Sequence, residues 1–108
     1  MATVVEIVNA GVCGFTTTIT AASDDGETVS FEVASDCPSI KALAEAVPEV
    51  DAFAELSAGY EGELWKTALS GLTKCCVGCV VPVALYKAMQ VAAGLALPAD
   101  ASLHFERK

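Results

Sequence analysis

Residues 15–33 read "FTTTITAASDDGETVSFEV". Phe15, Thr17, Ile19 and Ala21 fall on one side of an extended chain, and Thr16, Thr18 and Thr20 fall on the other. Val29, Phe31 and Val33 repeat the alternation, with Thr28, Ser30 and Glu32 opposite. Between the two runs "SDDGE" is a turn, with Asp25-Gly26 as its hairpin signal. The stretch predicts an antiparallel hairpin with one buried face. Just before it, "TVVEIV" at residues 3–8 is rich in β-branched side chains and predicts another strand.

After the hairpin the apolar period lengthens to that of a helix. Pro38 suits a first helical position, which puts Cys37 at or next to the N-cap. Ile40, Leu43, Ala44 and Val47 form one face of that helix. Pro48 ends it and opens a second, with Val50, Phe53, Ala54 and Leu56 as the apolar face. "SAGYEGE" is a loop, and "LWKTALSGL" predicts a short helix stopped by Gly71. Residues 80–93 predict the longest helix, opened near Pro82 and closed by Gly94. Only Lys87 and Gln90 are strongly polar across it, so it should be buried on most sides. Its cover would be the sheet and another element, a second subunit of a homodimer included. "SLHFER" alternates as a last strand. The fold class that follows is α+β: an antiparallel sheet of three or four strands with helices packed on one face, in a single domain over residues 1–108.

Hydrophobic residues are 54% of the chain and charged residues 19%, a composition that folds rather than stays disordered. The net charge is −8 with six Lys plus Arg, so no basic stripe exists to neutralise nucleic-acid phosphates or to hold an anionic membrane. The longest apolar run, Val77 to Tyr86, is broken by Gly78 and Pro82 and falls short of the roughly 18–20 residues of a membrane span. The N-terminus has no basic region before its apolar stretch and carries Glu6 within it, unlike a signal peptide. These features point to the cytoplasm, where structural disulfides are rare.

In that setting five cysteines read as metal ligands or reactive thiols. Cys37 and Cys79 each precede a proline-started helix, where free N–H groups and the helix dipole favour a thiolate. Cys13 lies between Gly11 and Gly14, where the backbone can turn and offer N–H donors. Cys75 or Cys76 can supply a fourth sulfur, and Cys76 with Cys79 has the C-x-x-C spacing that grips one ion. A thiolate is the form that binds metal. The competing reading is that some of these thiols are small buried hydrophobes.

The order of these cysteines resembles that of the NifU-type iron–sulfur scaffold proteins, also called IscU-like. In that family a Cys-Gly turn precedes a hairpin, as "VCGFTTTITAASDDG" does here. A second cysteine ends the hairpin and starts a helix, matching Cys37 in "SDCPSIKALAEA". A third heads the C-terminal helix, matching Cys79 in "GCVVPVALYKAMQVAAG". The likeness covers most of residues 11–94 and implies a SufE/NifU-like fold. The chain departs from the pattern at Phe15, where the family has aspartate, at Pro38, where it has glycine, and at Gly78, where it has histidine. The family's Leu-Pro-Pro-Val-Lys chaperone-recognition segment is absent too. Oxygen and nitrogen ligands are thereby lost and sulfur is gained, which implies a more tightly held metal. The chain also resembles small proteins of anaerobic bacteria and archaea that carry similar "GVCGF" and "SDCP" segments.

Four thiolates suit an iron–sulfur cluster and equally a closed zinc site. Ligands drawn from three distant segments favour the cluster, in a scaffold, carrier or electron-transfer role, with a protein partner in cluster or sulfur transfer. The alternatives are a structural zinc module that binds a partner protein, and a persulfide acceptor at Cys37 or Cys79. Lys74 is the one cation close to the cysteine cluster in sequence. His104, alone in its strand, reads as a structural or surface residue, with a ligand role the lesser alternative. Glu45, Glu49, Asp51 and Glu55 read as a solvated helix face, and Tyr60 and Trp65 as core. No carboxylate pair is set for acid–base work and no Ser-His-Asp order appears, so a non-enzymatic role is favoured.

Overall fold

The structure, a computed structural model, describes residues 2–108. Four strands form one antiparallel sheet in the order β1 (Ala2–Asn9), β2 (Thr16–Ser23), β3 (Thr28–Ala34) and β4 (Glu49–Asp51). The helices are α1 (Pro38–Ala46), α2 (Ala52–Ala58), α3 (Glu63–Gly71) and α4 (Val81–Ala92), with 3₁₀ turns at Gly59–Glu61 and Lys74–Gly78. The predicted α+β class with an antiparallel sheet and helices on one face is the observed one.

The hairpin forms as its alternation requires. Ile19 pairs with Val33 and Ala21 with Phe31, so one set of side chains faces the helices. Thr17, Ile19, Ala21 and Val29 are buried, while Ser30 and Glu32 are exposed on the other side. At the turn Gly26 takes a φ of +74°, and the Asp25 carboxylate accepts N–H bonds from Glu27 and Thr28 at 2.9 and 2.8 Å. Those bonds lower the Asp25 pKa.

In β1 the phase puts Val4, Glu6 and Val8 on the helix side, opposite Ala21, Ile19 and Thr17. Val5 and Ile7 therefore point outward and are exposed. Glu6 sits under α4 with Oε1 buried and without a hydrogen-bond partner. Burial raises its pKa, and Lys87 pulls it back in part.

The helix α4 lies on β1 and β2, and α1 lies on β3. Seven of its twelve residues are buried, among them Leu85 and Met89. Burying a side chain of that size contributes about 1.5–3 kcal/mol. Gly94, at φ +77°, ends it as expected. One expectation about this region needs correction. The run Lys74–Ala92 has 19 residues and a mean hydropathy of 1.6, long and apolar enough by composition to cross a membrane. The backbone breaks it, because Cys79 is extended between the 3₁₀ turn and the helix. The remaining α-helical part is about 18 Å long, against about 30 Å of hydrocarbon.

Residues 48–60 depart most from the sequence expectation. Val50 is buried as a strand residue, paired with Val29, and α2 starts only at Ala52. The Asp51 side chain caps α2 by accepting from the Ala54 N–H at 3.0 Å. The buried residues of α2 are Ala52 and Glu55, whereas Phe53 and Leu56 are exposed. Glu55 is not solvated: it is 5% exposed, and its carboxylate accepts the N–H groups of Glu63 and Leu64 at 3.0 and 2.8 Å. It is the N-terminal cap of α3, supplied from another helix, and its charge complements the helix dipole. Gly62 leaves room for it, since a Cβ there would lie 2.9 Å from Glu55 Oε1. Tyr60 is exposed rather than core, and stacks edge-on against half-buried Trp65 at 5.4 Å. The expected last strand does not form within the chain: residues 97–108 have no regular structure and are exposed, His104 included.

Replacing Glu55 with Ala orphans two N–H groups at the start of α3. Urea unfolding should show a loss of about 2 kcal/mol, with Glu55→Gln losing less. A change within error for both would mean that the carboxylate does not hold α3.

Candidate metal centre

Three connections meet at one end of the sheet. The β1–β2 turn and the β3–α1 link leave from the same end, since Asn9 pairs with Thr16 and Thr18 with Ala34. Cys13 is in the first of these. Gly14 N–H donates to Gly11 O at 2.9 Å, and Ala10 N–H to Phe15 O at 3.1 Å, so the turn closes tightly around Val12 and Cys13. Gly11 and Gly14 take φ values of +91° and +76°, which side-chain-bearing residues rarely adopt.

Cys37 is the N-cap residue of α1, with Pro38 following, as the sequence predicts. Its sulfur makes no capping bond, so it is free to face away from the helix. Its N–H donates to Ser35 Oγ at 3.2 Å, and the same Ser35 oxygen accepts the buried Thr17 hydroxyl at 2.9 Å. This pair of bonds ties Cys37 to the start of β2. Ser35 was not singled out by sequence reading, and the only signal for it is its place two residues before an N-cap.

The third connection is the 3₁₀ turn before α4. Cys76 N–H bonds to Thr73 O at 3.0 Å and Cys79 N–H to Cys76 O at 3.1 Å. Lys74 starts this turn at φ +57°, the one positive φ outside glycine among the described residues. A left-handed lysine costs about 1–2 kcal/mol. Because α4 packs on β1 and β2, its start carries Cys79 to the end of the sheet that holds Cys13 and Cys37.

Cys79 is the thiol on which three others act. Charge on Cys37, Cys13 or Cys76 raises the Cys79 pKa, and each therefore lies within electrostatic reach of its sulfur. Cys37, Cys76 and Cys79 are half-buried and pack against the core; Cys13 and Cys75 are exposed. Cys75 is not among the groups that act on Cys79. All five cysteines are free thiols. Among the described residues no three His, Cys, Asp or Glu side chains form a group that could hold a single metal ion as they stand. Two shallow depressions elsewhere, one beside Asp24, Asp25 and Glu49 and one beside Pro38, Ser70 and Gly71, contain no thiol.

One sequence expectation is overturned here. The start of α4 was expected to lower the Cys79 pKa. Desolvation is the larger effect and raises it, and the three neighbouring thiols add to the rise. The Val81 N–H acts on the sulfur in the expected direction, but it is outweighed.

A family described as "Family of unknown function (DUF6951)" matches residues 4–105. No curated protein and no solved structure matches the chain.

With its pKa above the usual thiol value, Cys79 is protonated at neutral pH and gains its charge only in alkali. In the metal-free protein, alkylation at pH 7.5 followed by mass spectrometry should modify Cys75 and Cys13 well before Cys79. Cys37→Ser removes one neighbouring charge, so the pH midpoint for Cys79 alkylation should move down. An early-reacting Cys79, unmoved by that change, would contradict both its burial and its neighbours.

Proposed function

The chain belongs to DUF6951, a family of unknown function, and we propose that it is a small metal-binding protein that holds an iron–sulfur cluster on Cys13, Cys37, Cys76 and Cys79. The observation that carries this reading is the set of charges felt by Cys79: three other thiols, from segments remote in sequence, lie within its reach. The cysteine order shared with NifU-type scaffolds supports it further.

The donor set suits soft metals, being sulfur alone, with no carboxylate or imidazole in the group. Ligands drawn from three segments remote in sequence favour a cluster over one ion, since a cluster spreads its thiolates over several irons. The exposed Cys13 turn, hinged at two glycines, is the part that can close.

When bound, a cluster supplies one-electron chemistry or transferable iron and sulfide. The chain's own residues do the rest. Core packing holds Cys37, Cys76 and Cys79 in place. The Val81 N–H supports the Cys79 sulfur and would stabilise it as a thiolate ligand. The left-handed Lys74 puts a cation next to the cysteine turn and stores strain of the kind found at functional sites. A persulfide acceptor needs an exposed, low-pKa thiol, and Cys79 has neither property. Five free thiols suit a reducing compartment, which makes the cytoplasm the proposed location and a cluster-exchanging protein the proposed partner.

Purification without oxygen should give a brown protein containing iron and acid-labile sulfide. Serine at position 13, 37, 76 or 79 should cut the iron content several-fold, and Cys75→Ser should leave it unchanged. A colourless protein with one zinc would replace the cluster by the zinc module. A metal-free protein, or one in which Cys75→Ser is as damaging as the others, would overturn the assignment.

A further inference from the structure

We propose that residues 101–108 of one copy form an added strand on the free edge of β1 in a second copy, and that the exchange is mutual. The proposal is independent of what the thiols bind.

The sheet order leaves β1 outermost, with an eight-residue edge that has no partner strand. Such an edge is a template for another strand. Its outward face is apolar, with Val5 63% and Ile7 69% exposed. The C-terminal segment has the pattern to cover it. Leu103 and Phe105 alternate with polar residues and are 74% and 89% exposed, with no partner in their own chain.

One antiparallel register satisfies both faces. Leu103 opposite Ile7 and Phe105 opposite Val5 place apolar side chains together on the outer face. The same register sets His104 opposite Glu6 on the inner face. Residues directly opposite share a face and touch, so the imidazole reaches the one carboxylate that needs it. Glu6 Oε1 is buried and unpartnered in the single chain. Lys87 attracts that carboxylate but makes no bond to the orphaned oxygen. A slip by one residue would put His104 against an apolar neighbour and lose both matches. The last residues, Arg107 and Lys108, would come to rest on a chain whose net charge is −8.

The chain's own edge is a poorer recipient. The start of α4 is at the thiol end of the sheet and Lys87 is near Glu6, so α4 finishes toward Ala2. The tail thus leaves from the Ala2 end, while the register needs residue 101 beside Asn9. That distance is about 23 Å along the strand, and the seven steps from Gly94 to residue 101 cover about 23–25 Å only when drawn straight, so self-pairing needs a taut, fully extended crossing. A second copy, related by a two-fold axis, offers its edge without that crossing.

Sedimentation equilibrium at submillimolar concentration should find a dimer of the full chain, with slow hydrogen exchange at the outward N–H groups of β1. The double variant Leu103→Asp, Phe105→Asp changes only exposed side chains. It should sediment as a monomer with unchanged circular dichroism and fast exchange along β1. A monomeric wild-type chain would overturn the proposal, and slow β1 exchange in that monomer would place the tail on its own edge. A dimer that survives both substitutions would overturn it as well.

Discussion

The contact between α4 and the first two strands governs the arrangement of the molecule. It buries Leu85, Ala88, Met89 and Ala92 against the inner face of β1 and β2. It also fixes where α4 begins. The hairpin brings Cys13 and Cys37 to one end of the sheet by register alone, without any contact between the two turns. Cys79 joins them only because the helix that follows it lies along β1 and β2. The apolar core and the thiol group are therefore consequences of one packing event. The core itself contains no cysteine, so the thiols border it and are not needed to fill it.

Two opposing effects meet at Cys79, and their ranking says what the site suits. The helix start and the Val81 N–H favour the thiolate. Desolvation and three nearby sulfurs disfavour it, and they win. A lone nucleophile needs the reverse balance. On the proposed reading, a bound cation would relieve both the burial and the repulsion at Cys79. The exposed Cys75 lies outside this balance, which separates it from its neighbour Cys76 although the two are consecutive.

Much of this was legible in the residues. The period-two pattern of residues 15–33 gave the hairpin and its buried face, and prolines and Gly94 gave the bounds of α1 and α4. The order Cys13, Cys37, Cys79 predicts one metal pocket; the fold brings those segments toward one end of the sheet, but no three of the described His, Cys, Asp or Glu side chains form a metal-holding group. The failures have physical reasons. Val50, Phe53 and Leu56 fit a helical face by spacing, but a three-residue strand paired with β3 took Val50 and turned α2 the other way. Glu55 read as solvated because no local pattern shows that a later helix needs an acceptor. The Cys79 pKa could not be read because burial depends on what α4 covers. The alternation of "SLHFER" is real, yet pairing needs an edge, and no spacing rule says whose edge it is.

The thiol group also has a schedule. Its members lie at positions 13, 37, 76 and 79, and the helix that brings the last two into place ends at Ala92. A nascent chain can finish the hairpin and α1 early, but it holds only two of the four sulfurs until most of its length has left the ribosome. On the proposed cluster reading, loading would wait for α4, and a chain cut before it would hold only Cys13 and Cys37 in place.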